Sequence, residues 1–135
     1  MNDKIFVDSN IFLYAFSTLD PLKQLRAKDI VLSPNRVISS QVINEVSSNL
    51  LKKLKLEEAK VTGFVLDCYE RYAVVNFSKS LFVAAVLLRQ SHRLSYYDSL
   101  IVAAAVESGC DVLYSEDMAH NQLMGGCVRI VNPFL

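Results

Sequence analysis

Short apolar runs that lack polar alternation, set between helical patterns, decide what this chain can fold into. Residues 4–7, 36–39, 72–77, 112–114 and 128–131 read as five strands. A strand with one face in water alternates apolar and polar side chains, whereas a strand covered on both faces does not. Helical patterns fill the gaps. One starts at Ile11. The next opens at Asp20-Pro21, with proline in its favoured first-turn position, and runs to about Leu32. Ser39 or Ser40 caps a third, which buries Val42, Ile43, Val46 and Leu50. Residues 57–69 turn Val61, Phe64, Val65 and Cys68 inward, and residues 79–91 form a further helix. Ser95-Tyr96-Tyr97-Asp98 matches a capping box; the helix it opens is apolar from Leu100 to Val106 and ends at Gly109. This order predicts an α/β fold of three layers, a mainly parallel five-stranded sheet flanked by helices. No repeat or linker interrupts the 135 residues, so residues 1–135 read as a single domain.

Charge narrows the function. The formal net charge is zero, so this is no polycationic nucleic-acid binder, and any such contact must use local patches. The densest basic stretch, Lys52-Lys53-Leu54-Lys55, reads as a solvated helix end. Arg36 and Arg93 read equally well as ordinary surface charges. Cys68, Cys110 and Cys127 are odd in number with no paired spacing, and His92 and His120 complete no zinc pattern. A reduced, cytoplasmic protein is the expectation. The longest apolar run, residues 81–88, is far too short for a membrane span. Asp3 and the lack of a long apolar stretch after it argue against a signal peptide.

Four acids stand out by position. Asp8 closes the first strand and is followed by Ser9 and Asn10; Asp117 follows Ser115 and Glu116 just past residues 112–114. Parallel sheets bind ligands beyond the carboxyl ends of their strands, where strand order reverses, and both acids fall at such ends. Glu45 and Asp98 lie in the first turns of two helices. Each has a plain explanation by itself: Asp8 as a helix cap, Asp98 as part of its capping box, Glu45 on an exposed helix face, Asp117 in a loop. Around them, Asn49 is placed to orient Glu45. Ser115 is placed to orient Asp117 or hold a water, and Glu116 is the spare acid. At least one of Tyr96 and Tyr97 is expected in the core, and the other could offer a ring to a base. Brought together, the four carboxylates would repel one another, raise one another's pKa and titrate as a set until a cation relieved them. Oxygen-only ligands suit Mg²⁺ or Mn²⁺. Such an ion, or two roughly 4 Å apart, would hold a phosphodiester and activate water. No histidine or lysine lies in these motifs to serve as base.

The constellation resembles the PIN-domain nuclease family. Val7-Asp8-Ser9-Asn10-Ile11-Phe12-Leu13-Tyr14 looks like its first motif. Glu45, within Ser40-Gln41-Val42-Ile43-Asn44-Glu45, matches its second acidic position. Asp98, within Tyr97-Asp98-Ser99-Leu100-Ile101-Val102-Ala103-Ala104-Ala105, matches the third. Asp117, within Leu113-Tyr114-Ser115-Glu116-Asp117-Met118, matches the last, and Val128-Arg129-Ile130-Val131-Asn132-Pro133-Phe134 looks like the family's final strand and tail. The resemblance covers almost the whole chain and is greatest to the toxins of VapBC toxin–antitoxin systems. It implies a Mg²⁺- or Mn²⁺-dependent endoribonuclease with Asp8, Glu45, Asp98 and Asp117 as metal ligands. Ser115 would be the hydroxyl residue accompanying the last acid. It also implies a homodimer and a small antitoxin protein that covers the site. Many members carry a polar residue and a glycine after the last acid; here the segment is Met118-Ala119-His120-Asn121-Gln122. Two other readings compete: a metal-dependent phosphohydrolase, which would want a second acid where Asn10 stands, and a catalytically silent binding module of the same fold.

Overall fold

Burial on both faces is what the inner strands show. In β1 (Ile5–Val7) all three residues are buried, as are three of four in β2 (Arg36–Ser39). The computed structural model describes residues 4–135, so Asp3 lies outside the described residues. α1 (Ser9–Phe16) and α2 (Pro21–Leu32) separate these two strands. α3 (Ser40–Lys52), α4 (Glu58–Arg71), β3 (Ala73–Val75), α5 (Lys79–Ser91), α6 (Tyr96–Glu107), β4 (Val112–Tyr114), β5 (Leu123–Met124) and β6 (Val128–Val131) follow. The helix starts have the chemistry their sequences promise. Asp20 caps α2 by accepting from Lys23 N, Ser39 caps α3 and Ser95 caps α6.

The sheet has six strands in the order β3-β2-β1-β4-β6-β5, one more than expected. The extra strand is β5, two residues inside the segment read as a loop. Gly125 and Gly126, at φ 58° and 71°, turn the chain so that Leu123 and Met124 pair antiparallel with β6. So short a strand carries no apolar period to read. The other pairings are parallel, with Phe6 of β1 set against Val37 on one side and Leu113 on the other.

Helices cover both faces, giving three layers. α1 to α4 pack on one another, while α6 packs on α5 and across β2, β4 and β6. Every residue of α6 from Ser99 to Ala105 is buried, so it is wrapped on all sides. Phe12 meets Phe64 and Tyr72 edge-on at 5.9 and 5.6 Å between ring centres, closing the core on the α1 side. Among the described residues no helix is long and apolar enough to cross a membrane.

Strand order fixes where a site can form. β1 and β4 are neighbours, and the chain leaves β1 toward β2 on one side but leaves β4 toward β5 and β6 on the other. That switch point opens a crevice at the carboxyl ends of β1 and β4. Asp8 follows the first of these strands directly, and Ser115 the second.

Candidate active site

Asp8 is both the cap of α1 and the floor of the crevice. Its Oδ1 accepts from Ser9 N at 2.7 Å, which satisfies the first free amide of the helix. Its Oδ2 accepts from Ser115 Oγ at 2.8 Å. Asp8 is 4 % exposed and Ser115 fully buried, so this bond ties the ends of β1 and β4 together below the solvent. Ser115 Oγ also accepts from Asp117 N at 3.2 Å. It therefore shapes the loop that carries Asp117.

The other acids stand around that floor. Asn10 donates from Nδ2 to Asp117 Oδ2 at 2.9 Å and accepts Glu116 N at its Oδ1, so one amide fixes both sides of the loop. Glu45, half-buried on α3, has both carboxylate oxygens held. Ser9 Oγ lies 2.7 Å from its Oε2, and Gln41 Nε2 lies 2.6 Å from its Oε1. Ser9 Oγ is 3.4 Å from Asp8 Oδ1, so its single proton goes to the nearer glutamate. Asn49 does not orient the Glu45 carboxylate as expected; its Nδ2 reaches one turn back to the Glu45 backbone carbonyl at 2.9 Å. Asp98 sits in the first turn of α6, where Ser95 Oγ accepts its amide at 3.1 Å. Neither tyrosine beside it is in the core: Tyr96 is 42 % and Tyr97 67 % exposed, their rings edge to face.

Electrostatics register the grouping. Burial pushes the Asp8 carboxyl up from 3.8 to about 6, against the Ser115 and Ser9 hydrogen bonds that hold it down, with the Glu45 and Asp98 charges adding to the rise. Burial also raises Asp98, and Asp117 and Glu45 add to that. The four acids thus lie within electrostatic reach as a set. Even so, among the described residues no three His, Cys, Asp or Glu side chains come together as a ready metal centre. The carboxylates of Asp8, Glu45 and Asp117 are instead tied to serine, asparagine, glutamine or backbone donors.

Glu116 belongs to a different network. It pairs with Lys23 and accepts from Tyr14 Oη at 2.6 Å, and Lys23 also lies over the Tyr14 and Phe134 rings. The lysine bond and the Tyr14 hydroxyl outweigh partial burial and hold Glu116 low. This clasp anchors the Asp117 loop to α2 and the tail. His120 is bound elsewhere, its Nδ1 accepting Asn132 N at 3.0 Å. Arg36 opens β2, at the opposite end of the sheet from the acids, and spends its Nε on the Ile30 carbonyl.

Gln41 and Ser9 escaped the sequence reading. A glutamine one turn before a glutamate on a helix has many ordinary uses. Its bond to Glu45 follows from the i to i+4 spacing; its second bond, to the Tyr97 carbonyl at 3.3 Å, depends on tertiary structure.

Comparison with known proteins agrees with the architecture. A family model described as PIN domain matches residues 5–123. No curated protein sequence matches the chain significantly. Among solved structures, a toxin–antitoxin complex from Klebsiella pneumoniae is similar at TM-score 0.71 and 21 % identity, covering 96 % of this chain and 97 % of that one. The Mycobacterium tuberculosis toxin VapC20, described as cleaving the sarcin–ricin loop, is similar at 0.66 and 19 %, covering 84 % and 89 %. FitAcB from Neisseria gonorrhoeae follows at 0.62 and 14 %, covering 96 % and 98 %. At these identities the likeness is one of fold.

Proposed function

Because this chain belongs to the PIN-domain family, we propose that it is a metal-dependent endoribonuclease, the toxin of a toxin–antitoxin pair, working through Asp8, Glu45, Asp98 and Asp117. The observation that carries the reading is a set of four acids around one strand-order switch with no cation of its own. Among the described residues the ion pairs are Lys23–Glu116 and Arg26–Asp29, and neither includes any of the four. A buried Asp8 that resists ionisation beside two further carboxylates needs positive charge from outside. An all-oxygen donor set fits a hard divalent cation, Mg²⁺ or Mn²⁺.

When bound, that ion supplies charge neutralisation at a phosphodiester and lowers the pKa of water. The residues supply the rest. Asp8, pinned by Ser9 N and Ser115, is the fixed inner ligand. Glu45, held by Ser9 and Gln41, faces it from α3. Asp98 and the exposed Asp117, steadied by Asn10, form the open side where a phosphate enters. Tyr96 and Tyr97 offer exposed rings beside Asp98 on which unpaired bases can stack, which favours single-stranded or looped RNA.

A small antitoxin protein as inhibitor and a second copy of the chain as partner belong to the same reading. Structures of this fold include complexes described as toxin–antitoxin and DNA-bound. Phe82, Val83, Val86 and Leu87 leave an exposed apolar stripe on α5, the surface we assign to self-association. The competing reading is a silent binding module, favoured by the absence of a converged trio of ligands among the described residues. Purified protein incubated with structured RNAs, in Mn²⁺ and in EDTA, separates the two. Cleavage that requires metal and is lost in Asp98→Asn supports the enzyme. Intact RNA under all conditions refutes it.

A further inference from the structure

We infer that Gln41 is a positioning residue that sets Glu45 against the first turn of α6, and so sets the span of the proposed metal site; this rests on the nuclease reading. Gln41 is 8 % exposed. Its one amide nitrogen makes two bonds, 2.6 Å to Glu45 Oε1 and 3.3 Å to the carbonyl of Tyr97, the residue before Asp98. Both partners are acceptors, so the amide has one allowed orientation; turned over, its oxygen would face a carboxylate and a carbonyl. In the allowed orientation Oε1 is buried without a protein partner. Buried polar atoms are nearly always paired, and an exception calls for a reason. Here the reason is the nitrogen: holding both helices leaves the oxygen unpaired.

The packing explains why such a strut is needed. α3 rests on α1, α4 and β2, whereas α6 rests on α5 and on β2, β4 and β6. The two helices belong to different layers, and the Gln41–Tyr97 bond is the one side-chain hydrogen bond between them among the described residues. Glu45 and Asp98 are thus carried by separately supported elements. Groups that orient a metal ligand, without touching the ion, typically tune affinity by ~10- to 100-fold.

The test compares Mn²⁺ affinity, by calorimetric titration, in the wild type, Gln41→Met, Gln41→Asn and Ser47→Ala. Methionine keeps the length and removes the amide; asparagine keeps the amide but is too short to reach both partners. Ser47 also has a buried unpartnered oxygen on α3 and serves as a control for a generic lesion there. The expected result is affinity reduced ~10-fold or more in both Gln41 variants, unchanged in Ser47→Ala, with the RNA cleavage rate recovering at saturating Mn²⁺. Wild-type affinity in either folded Gln41 variant, or an equal loss in Ser47→Ala, overturns the positioning role while leaving the metal site standing. A wild type that takes up no Mn²⁺ overturns both.

Discussion

Asp8→Asn should make the metal-free protein more stable. Asp8 ionises near 6 in the fold against an ordinary 3.8, burial being the largest cause. At pH 7.5 the carboxyl is ionised in both folded and unfolded chains, so the fold carries the whole cost of that charge. At ~1.4 kcal/mol per pH unit the gap amounts to about 3 kcal/mol. The sign follows from proton counts. Between pH 3.8 and 6 the folded-state Asp8 binds more protons than the unfolded one, so the Asp8 contribution to wild-type stability falls as pH rises through that window and levels off above it. Asparagine keeps the shape, and its oxygen can still accept Ser9 N, but the Ser115 bond loses its charge. A net gain of roughly 1–3 kcal/mol at pH 7.5 remains, or about 3–10 °C in Tm. At pH 4.5 the charge cost is only about 1 kcal/mol, and the gain shrinks accordingly. Urea denaturation in EDTA at the two pH values reads this directly. Adding Mn²⁺ should then stabilise the wild type and not the variant. A variant less stable than wild type at pH 7.5, or a gain independent of pH, would refute the claim that Asp8 is a buried charge awaiting a cation.

Ser115→Ala removes the donor to Asp8 and the acceptor of Asp117 N. It should cost roughly 1.5–3 kcal/mol at neutral pH, the range for a bond to a charged group, and less at pH 4.5, measurable in the same urea series. Phe12→Ala empties the joint between α1, Phe64 and Tyr72; a loss of about 3–5 kcal/mol in chemical denaturation is expected. Val86→Glu places a charge in the apolar stripe of α5. Light scattering should show a dimeric wild type and a monomeric variant, and a variant of unchanged mass would remove self-association from that face.

Much of the fold could be read from the chain because its signals are local. Asp20-Pro21, Ser39 and Ser95 begin their helices as their chemistry dictates, and the apolar runs of β1, β2 and β4 stand where they were placed. β5 escaped because two residues and a glycine turn have no period. The misplaced details of the site were tertiary. Asn49 turns back to the backbone of its own helix, an alternative always open to an amide one turn after its target. Tyr96 and Tyr97 are the first two residues of α6, which is buried only from Ser99 onward, so an apolar neighbourhood in sequence suggests a core that begins two residues later. Gln41 matters through Tyr97, 56 residues away, which no spacing rule encodes. The four acids were legible as a set only through their common relation to strand and helix starts. The hydroxyl and amide groups that hold them needed coordinates.

The assignment of those acids is tested most directly by crystals equilibrated with Mn²⁺ and measured for anomalous scattering. The account predicts a peak in the crevice at the carboxyl ends of β1 and β4, ~2.2 Å from Asp8 and from at least one of Glu45, Asp98 and Asp117. A peak elsewhere, or an empty crevice at saturating Mn²⁺, would contradict it.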